Sequence, residues 1–289
     1  MLTRTDAPLE LHSDDGDLTA RFVPGAGMLG CSLRHRGEEL LGGGGIPILH
    51  PWANRLEGWS YEVAGRRVVL DRHSPLIQTD DNGLPIHGTL MRSPRWNVAA
   101  DTDCLAATLD YDDGDLLAAF PFAHRLELGV RLRGSTLEVR TAVVAAGRER
   151  VPLAFGFHPY IRLPGVARED WRVELPEREE LVLDARQLPT GETIGRPAEH
   201  DALGERTFDH LFRPHRSPAC FALAGGGRRI VVEMGHGYPF AQVFAPPTDD
   251  VVCFEPMTAP VNALATGHGL RFAAPRAEAT FRVTVTPDA

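Results

Sequence analysis

The chain has 289 residues, of which 43% are hydrophobic and 24% are charged, and its formal net charge at pH 7 is −9. This composition is ordinary for a soluble globular protein. The negative charge argues against a binding surface for nucleic acid or for an anionic membrane.

The cysteines and the N-terminus indicate a cytoplasmic protein. The four cysteines are far apart and form no Cys-x-x-Cys pair, so neither a zinc motif nor a redox motif is present in the sequence. The segment Met1–Asp6 lacks the apolar core of a secretion signal, and no apolar run is long enough to span a membrane. We therefore expect a cytoplasmic localisation with reduced thiols.

Alternation of apolar and polar residues, with period two, predicts an all-β fold. In chain order, Leu18–Phe22 alternates and ends at a Pro-Gly pair, and residues 61–70 form a hairpin. The clearest antiparallel hairpin joins Leu126–Leu132 to Leu137–Val143, and Phe281–Val285 forms the last strand. Many short strands with turn signals between them favour a β-sandwich, without specifying its topology.

Three stretches are interpreted as loops and not as binding motifs. Gly42–Gly45 is not followed by Lys-Ser or Lys-Thr, so it predicts a flexible turn and not a phosphate loop. Asp110–Asp115 lacks the spacing of an EF-hand, which predicts a solvated hairpin turn. Residues 185–207, rich in glycine, proline and charge, are expected to form a long excursion.

Two ionisable residues stand in apolar runs beside proline. His158 lies within Phe155–Tyr160, where Pro159 biases it toward an extended backbone. Glu255 ends an apolar strand and is followed by Pro256. A carboxylate and a histidine are the minimal set for taking up one proton and delivering another, although a histidine of this kind is often only structural.

Polar residues elsewhere offer groups for binding a sugar. Trp52 and Trp59 present flat faces, and Arg55 presents a rigid set of donors, although a packed tryptophan and a surface ion pair are the alternatives. His87 is a second histidine beside glycine and proline, and Asp209 stands between apolar neighbours, where burial would require partners.

Five segments, in this order along the chain, resemble the aldose 1-epimerases, also called galactose mutarotases. They are Asn54-Arg55, Ile86–Gly88, Gly156–Tyr160, Phe208-Asp209 and Phe254–Pro256. The resemblance implies a large antiparallel β-supersandwich, a single domain over residues 1–289, an open sugar-binding cleft and no metal or organic cofactor. It also implies a small-molecule sugar as the partner, with the protein a monomer or homodimer.

The resemblance also implies roles for individual residues. Glu255 would be the general base for the anomeric hydroxyl, and His158 the general acid for the ring oxygen. The substrate-binding residues would be Arg55, His87, Asp209 and Asn54. The segment Pro256–Leu264 differs from the best-known galactose mutarotases and is more similar to a bacterial branch of broad or unassigned sugar preference.

Three other functions compete with a free-sugar epimerase. A hexose-6-phosphate 1-epimerase would need cationic groups, for which Arg92, Arg95 and Arg162 are available. A non-catalytic sugar-binding module would need the same cleft but not both His158 and Glu255. A zinc hydrolase is disfavoured, because no His-Glu-x-x-His or comparable ligand spacing is present.

Overall fold

Antiparallel strands dominate the chain, as the alternation of apolar and polar residues predicts. A computed structural model describes residues 2–91 and 93–288. The strands of the first half are β1 (Thr3–Arg4), β2 (Leu9–His12), β3 (Leu18–Val23), β4 (Leu29–His35), β5 (Glu38–Glu39), β6 (Ile48–Leu49), β7 (Ser60–Val63), β8 (Arg66–Val69), β9 (Gln78–Thr79), β10 (Pro85–Ile86), β11 (Asn97–Ala100), β12 (Cys104–Tyr111), β13 (His124–Arg133) and β14 (Thr136–Ala145).

The second half continues the same pattern. Its strands are β15 (Val151–Leu153), β16 (Gly156–Phe157), β17 (Tyr160–Ile161), β18 (Arg172–Leu175), β19 (Arg178–Leu183), β20 (Pro189–Arg196), β21 (Glu199–Ala202), β22 (Phe208–Pro214), β23 (Ala219–Gly225), β24 (Arg228–Met234), β25 (Phe240–Ala245), β26 (Val252–Met257), β27 (Arg271–Ala273) and β28 (Arg276–Pro287). The helices are short: α1 (Gly114–Ala119) and α2 (Ala263–Thr266), with 3-10 turns at Pro24–Ala26 and Arg168–Asp170. In the described parts of the chain, no helix is long and apolar enough to cross a membrane.

Two large sheets form the body of the protein. The ten-stranded sheet has the order β1-β11-β12-β13-β14-β28-β24-β23-β18-β21. The eight-stranded sheet has the order β20-β19-β22-β25-β26-β16-β6, with β17 pairing on β26. A four-stranded sheet, β2-β3-β4-β5, and three strand pairs complete the fold. The predicted hairpin of β13 and β14 is present, with a continuous register from His124–Ala145 to Arg133–Thr136.

Aromatic side chains join the facing sides of the two large sheets. Phe254 of β26 packs against Phe221 of β23 with ring centroids 5.7 Å apart, and Phe157 of β16 packs against Phe281 of β28 at 5.0 Å. Successive residues of a strand point to opposite faces of the sheet. Glu255, next to Phe254, therefore points away from this core, toward the other face of the eight-stranded sheet.

One cluster of buried apolar side chains includes residues from Leu11 to Val285. Because a domain is defined by its own hydrophobic core, we propose that the chain folds as one domain.

The prediction of a loop over residues 185–207 is wrong. Residues 185–207 contain the strands β20 and β21, and every residue of β20 after its first is exposed. A strand exposed on both faces does not need apolar residues at alternate positions, so the alternation was missing. The Asp110–Asp115 segment begins the connection between the paired strands β12 and β13, as predicted, and its last residues start α1, whose N-cap is Asp113.

Candidate active site

The sheet register places His158 directly opposite Glu255. Strands β16 and β17 both pair with β26 in one register, Gly156 with Met257 and Tyr160 with Cys253. His158 lies midway between Gly156 and Tyr160, and Glu255 lies midway between Cys253 and Met257, so the two residues are opposite each other. Residues opposite each other in an antiparallel pair point to the same face. His158 Nε2 lies 3.3 Å from Glu255 Oε1.

Burial disfavours separate charges on this pair. The side chains of His158 and Glu255 are 7% and 2% exposed. Burial raises the pKa of Glu255 well above its ordinary value; Asp209 raises it further and Arg55 opposes this. Burial, with a smaller contribution from His87, lowers the pKa of His158 well below its ordinary value. Between the lowered pKa of His158 and the raised pKa of Glu255, the two side chains therefore hold one exchangeable proton between them.

Tyr160 fixes the imidazole of His158 from one side. Their rings are stacked, with centroids 4.2 Å apart and planes 9° apart. The Tyr160 ring fits there because Gly44 has no side chain, since a Cβ at Gly44 would overlap that ring. A Cβ at Gly42 would likewise overlap Val251. The turn predicted at Gly42–Gly45 is present, because the Gly45 N–H donates to the Gly42 carbonyl at 3.0 Å. The close packing of Gly42 and Gly44 against distant residues is a further constraint that the local sequence does not show.

Arg55 is held in a fixed orientation by neighbouring oxygens. Its Nε donates to Asp80 Oδ2 at 2.7 Å, and its Nη1 donates to Asn54 Oδ1 at 3.1 Å. Its Nη2 lies 3.8 Å from Asp209 Oδ2. The Asp80 side chain is itself held, because its Oδ1 accepts hydrogen bonds from the backbone of its own turn. Sequence reasoning missed this contact, because Asp80 and Arg55 are 25 residues apart.

Gln242 stands beside the buried pair in the sheet and binds Asp209. Its Nε2 donates to Asp209 Oδ1 at 2.6 Å, and it lies opposite Glu255 in the register of β25 and β26. Sequence reasoning missed Gln242, although it is the one polar residue of the strand Phe240–Ala245 and is 1% exposed. With its amide nitrogen turned toward Asp209, Gln187 donates to the Oδ2 of that carboxylate at 3.3 Å.

His87 closes the cluster from the loop side. It follows β10 with a φ of 65°, and its N–H lies 3.4 Å from the carbonyl of Asn54. The next residue, Gly88, approaches the His50 carbonyl so closely that a Cβ would overlap it. The His87 ring meets the His158 ring edge to face at 5.5 Å. Burial, helped by Arg55, lowers the pKa of His87 to about 4, so its imidazole is neutral at pH 7.

Three buried polar atoms of the cluster make no hydrogen bond to any described residue. His158 Nδ1, Glu255 Oε2 and Gln242 Oε1 are buried, and each is unpaired within the part of the chain that the structure describes. Leaving a buried polar atom unpaired costs about 1–3 kcal/mol. The cluster opens to solvent at Asp209, whose side chain is 33% exposed. A small molecule rich in hydroxyl groups would satisfy these atoms.

The other residues considered from sequence lie elsewhere. Trp52 is 2% exposed and packs in the core, so it cannot offer a face to a ligand. Arg95 is bound by Asp113 and Asp115. Arg162 lies 3.4 Å from the carbonyl of Glu39, and Arg92 lies outside the described residues.

A metal site is not apparent. Within residues 2–91 and 93–288, no three His, Cys, Asp or Glu side chains are grouped so as to hold a metal ion.

The family follows from sequence comparison. Residues 25–286 match the model of the family described as aldose 1-epimerase. The chain belongs to the aldose 1-epimerase family. None of the curated proteins matches the chain.

Several solved structures share the fold of this chain. A protein from Synechocystis sp. PCC 6803 is 23% identical, with a TM-score of 0.81 over 100% of this chain and 98% of that one. A galactose mutarotase-like protein from Clostridium acetobutylicum is 19% identical, with a TM-score of 0.82 over 94% of each chain. A galactose 1-epimerase from Lactobacillus acidophilus NCFM is 15% identical, with a TM-score of 0.75 over 99% of this chain and 100% of that one. The fold is therefore the galactose mutarotase-like β-supersandwich that the resemblance implied.

The packing of Gly44 can be tested without an activity assay. Gly44→Ala should displace the Tyr160 ring from His158, change the imidazole NMR signals of His158 and lower the free energy of unfolding by about 1–3 kcal/mol. Gly43→Ala is the matched control, because a Cβ there would meet no described atom within 4 Å. Equal behaviour of the two variants would show that the stacking does not depend on Gly44.

Proposed function

We propose that the protein is an aldose 1-epimerase that interconverts the α and β anomers of a free aldohexose. The observation that carries the proposal is the His158–Glu255 pair, which lies at 3.3 Å in a buried cluster of polar side chains. In a protein of this family, such a pair suits a reaction that moves one proton onto a substrate and another off it.

In the proposed mechanism, the Glu255 carboxylate accepts the proton of the anomeric hydroxyl while protonated His158 donates a proton to the ring oxygen. The C1–O5 bond breaks and the free aldehyde forms. Rotation about C1–C2 presents the other face of the aldehyde, and the ring closes as the two residues exchange roles. The anomer changes, and the pair carries one proton before and after each step.

This proton count fits the electrostatics of the pair. Ring opening converts the ionised pair, Glu255 carboxylate and His158 imidazolium, into the neutral pair with the same number of protons. Burial disfavours separate charges, as the shifted pKa values of both residues indicate. Each general acid or base contributes roughly 10²- to 10⁴-fold, so two independent contributions would lower the barrier by about 5–11 kcal/mol.

The surrounding side chains are suited to orienting the pyranose. Arg55 presents donors from a guanidinium already fixed by Asp80 and Asn54. Asp209, held by Gln242, presents a carboxylate that can accept from sugar hydroxyls. The neutral imidazole of His87 can donate to one oxygen without adding charge beside His158. These contacts support Arg55, Asn54, His87 and Asp209 as substrate-binding residues.

A phosphorylated substrate has less support. Arg95 is neutralised by two aspartates, and Arg162 lies near a backbone carbonyl. We therefore favour an unphosphorylated sugar.

Replacing the general base should stop catalysis without abolishing sugar binding. Glu255→Gln keeps the size of the side chain but cannot accept the anomeric proton, so kcat should fall by at least about 10²-fold. Polarimetry on a freshly dissolved pure anomer measures the rate, and calorimetry measures whether the sugar still binds. Glu192→Gln, an exposed change on β20, is the control and should match the wild type.

Wild-type turnover in Glu255→Gln would contradict the role of Glu255. Binding of sugars by the wild-type protein with no acceleration over the spontaneous rate would instead support the non-catalytic sugar-binding module.

The catalysed rate should follow a broad, bell-shaped pH–rate profile. The pair works only while it holds one proton, so the acid limb marks the uptake of a second proton and the alkaline limb marks loss of the first. The lowered pKa of His158 moves the acid limb below the ordinary histidine range, and the raised pKa of Glu255 moves the alkaline limb above the ordinary carboxyl range. Polarimetric rates, corrected for the spontaneous reaction, measure both limbs. A catalysed rate that falls as the pH is lowered through the ordinary histidine range would contradict this account.

A further inference from the structure

The outer face of the ten-stranded sheet carries a row of six residues that we call the charge row. It takes one residue from each of six adjacent strands, in the order Cys104, Arg131, Glu138, Arg282, Glu233 and Cys220. Each is the direct partner of the next in the sheet register. Partners in register point to the same face of a sheet, and the residues beside them in each strand are buried. The charge row therefore faces away from the core.

The charges of the row are only partly satisfied within one chain. Arg282 forms ion pairs with Glu138 and Glu233, each at 2.6 Å. Arg131, although opposite Glu138 in register, makes no ion pair with any residue in the ranges 2–91 and 93–288. Arg131 is exposed, and an unpaired guanidinium next to a glutamate that is already bound can accept a carboxylate from another molecule.

If a second copy of the charge row is laid against the first in the opposite direction, each arginine meets a glutamate. A two-fold axis in the plane of the face, parallel to the strands and midway between β14 and β28, would reverse the row. Arg131 would then face Glu233 of the partner subunit, and Glu138 would face Arg282 of the partner subunit. An axis along the row itself would instead place each charge opposite its own copy, which is repulsive.

We propose that two copies of this chain form a dimer through the outer faces of their ten-stranded sheets, about the axis parallel to the strands. A symmetric dimer of this kind uses the same self-complementary patch on both subunits. Two sheets can pack face to face with their strands within about 30° of each other. Both copies carry the same twist, so their surfaces match along the row.

The residues around the row suit close packing. Thr136 and Thr284 lie on either side of the axis with their hydroxyl oxygens 3.0 Å apart, and each hydroxyl can both donate and accept. Beside them, Ala106 and Gly129 contribute to a trough of about 850 Å³ on this face. The axis would place the β23 and β24 side of the partner over that trough.

The size of the face is sufficient for a stable dimer. The six strands have between 7 and 12 residues. Five spacings of about 4.8 Å and a rise of roughly 3.4 Å per residue give a face of roughly 700–800 Å² per copy, close to the size of a standard specific interface. The dimer would leave both candidate active sites open, because Glu255 points to the far face of the other large sheet. The proposal therefore does not depend on the proposed function.

Charge reversal and mixing test the arrangement. Sedimentation velocity should give the wild-type chain twice the monomer mass. Arg131→Glu and Glu233→Arg should each be monomeric, because each creates two like-charge contacts in its own dimer. An equimolar mixture of the two should return to the dimer mass, since the reversed charges then meet across the interface. Arg67→Glu, an exposed change on β8, is the matched control and should stay dimeric.

The cysteines at the ends of the row give a second measurement that needs no charge reversal. The axis places Cys104 opposite Cys220 of the partner subunit, so a bismaleimide of about 10 Å, the spacing of packed sheets, should join the two chains. Cys104→Ser or Cys220→Ser alone should abolish the cross-link, and mixing the two variants should restore it. Cys31→Ser should leave it unchanged.

The alternative outcomes are equally clear. A wild-type chain of monomer mass, a dimer that persists in Arg131→Glu, or a cross-link that survives Cys104→Ser would each overturn the proposal.

Discussion

The register of β26 against β16 and β17 is the constraint on which the candidate site depends. One strand supplies Glu255, and two short strands, separated by His158 and Pro159, pair with it in a single register. Pro159 has no N–H to give to a ladder, so the chain can interrupt its pairing there without losing the register on either side. An imidazole and a carboxylate are thus fixed opposite each other by the backbone, and not only by their own side-chain torsions.

Burial gives this geometry its chemical consequence. A buried carboxylate and a buried imidazole each resist charge, and when they are 3.3 Å apart they hold one proton between them. The ring of Tyr160 lies flat on His158 and fixes its imidazole, and Gln242 stands opposite Glu255 in the register and binds Asp209. The charged residues Arg55 and Asp209 lie nearer the solvent, where carrying a charge costs less. The site therefore has ionic side chains near the solvent and a proton-sharing pair in its buried part.

Sequence reasoning identified the parts of the site that break a local pattern. His158 and Glu255 are single ionisable residues in apolar runs beside proline, and such contrasts are visible without a structure. Gln242 also interrupts an apolar strand, but a neutral amide carries no acid–base signal, so it was not recognised. The role of Gly44 could not be predicted, because its small size is required by Tyr160, which is distant in sequence. The fold class could be predicted from the alternation of apolar and polar residues. Strand β20 was not predicted, because both of its faces are exposed to solvent and its sequence therefore shows no alternation.

The pairing of strands that are distant in sequence, which brings His158 and Glu255 together, could be inferred only from the family resemblance.

The central claim is that His158 and Glu255 act together on the two oxygens of one anomeric centre. The measurement that tests it most directly is a crystal structure of the protein with a bound aldohexose. The account predicts the anomeric hydroxyl within hydrogen-bonding distance of the Glu255 carboxylate and the ring oxygen within hydrogen-bonding distance of His158 Nε2. A sugar bound with its anomeric carbon away from both side chains, or bound at another surface of the protein, would contradict it.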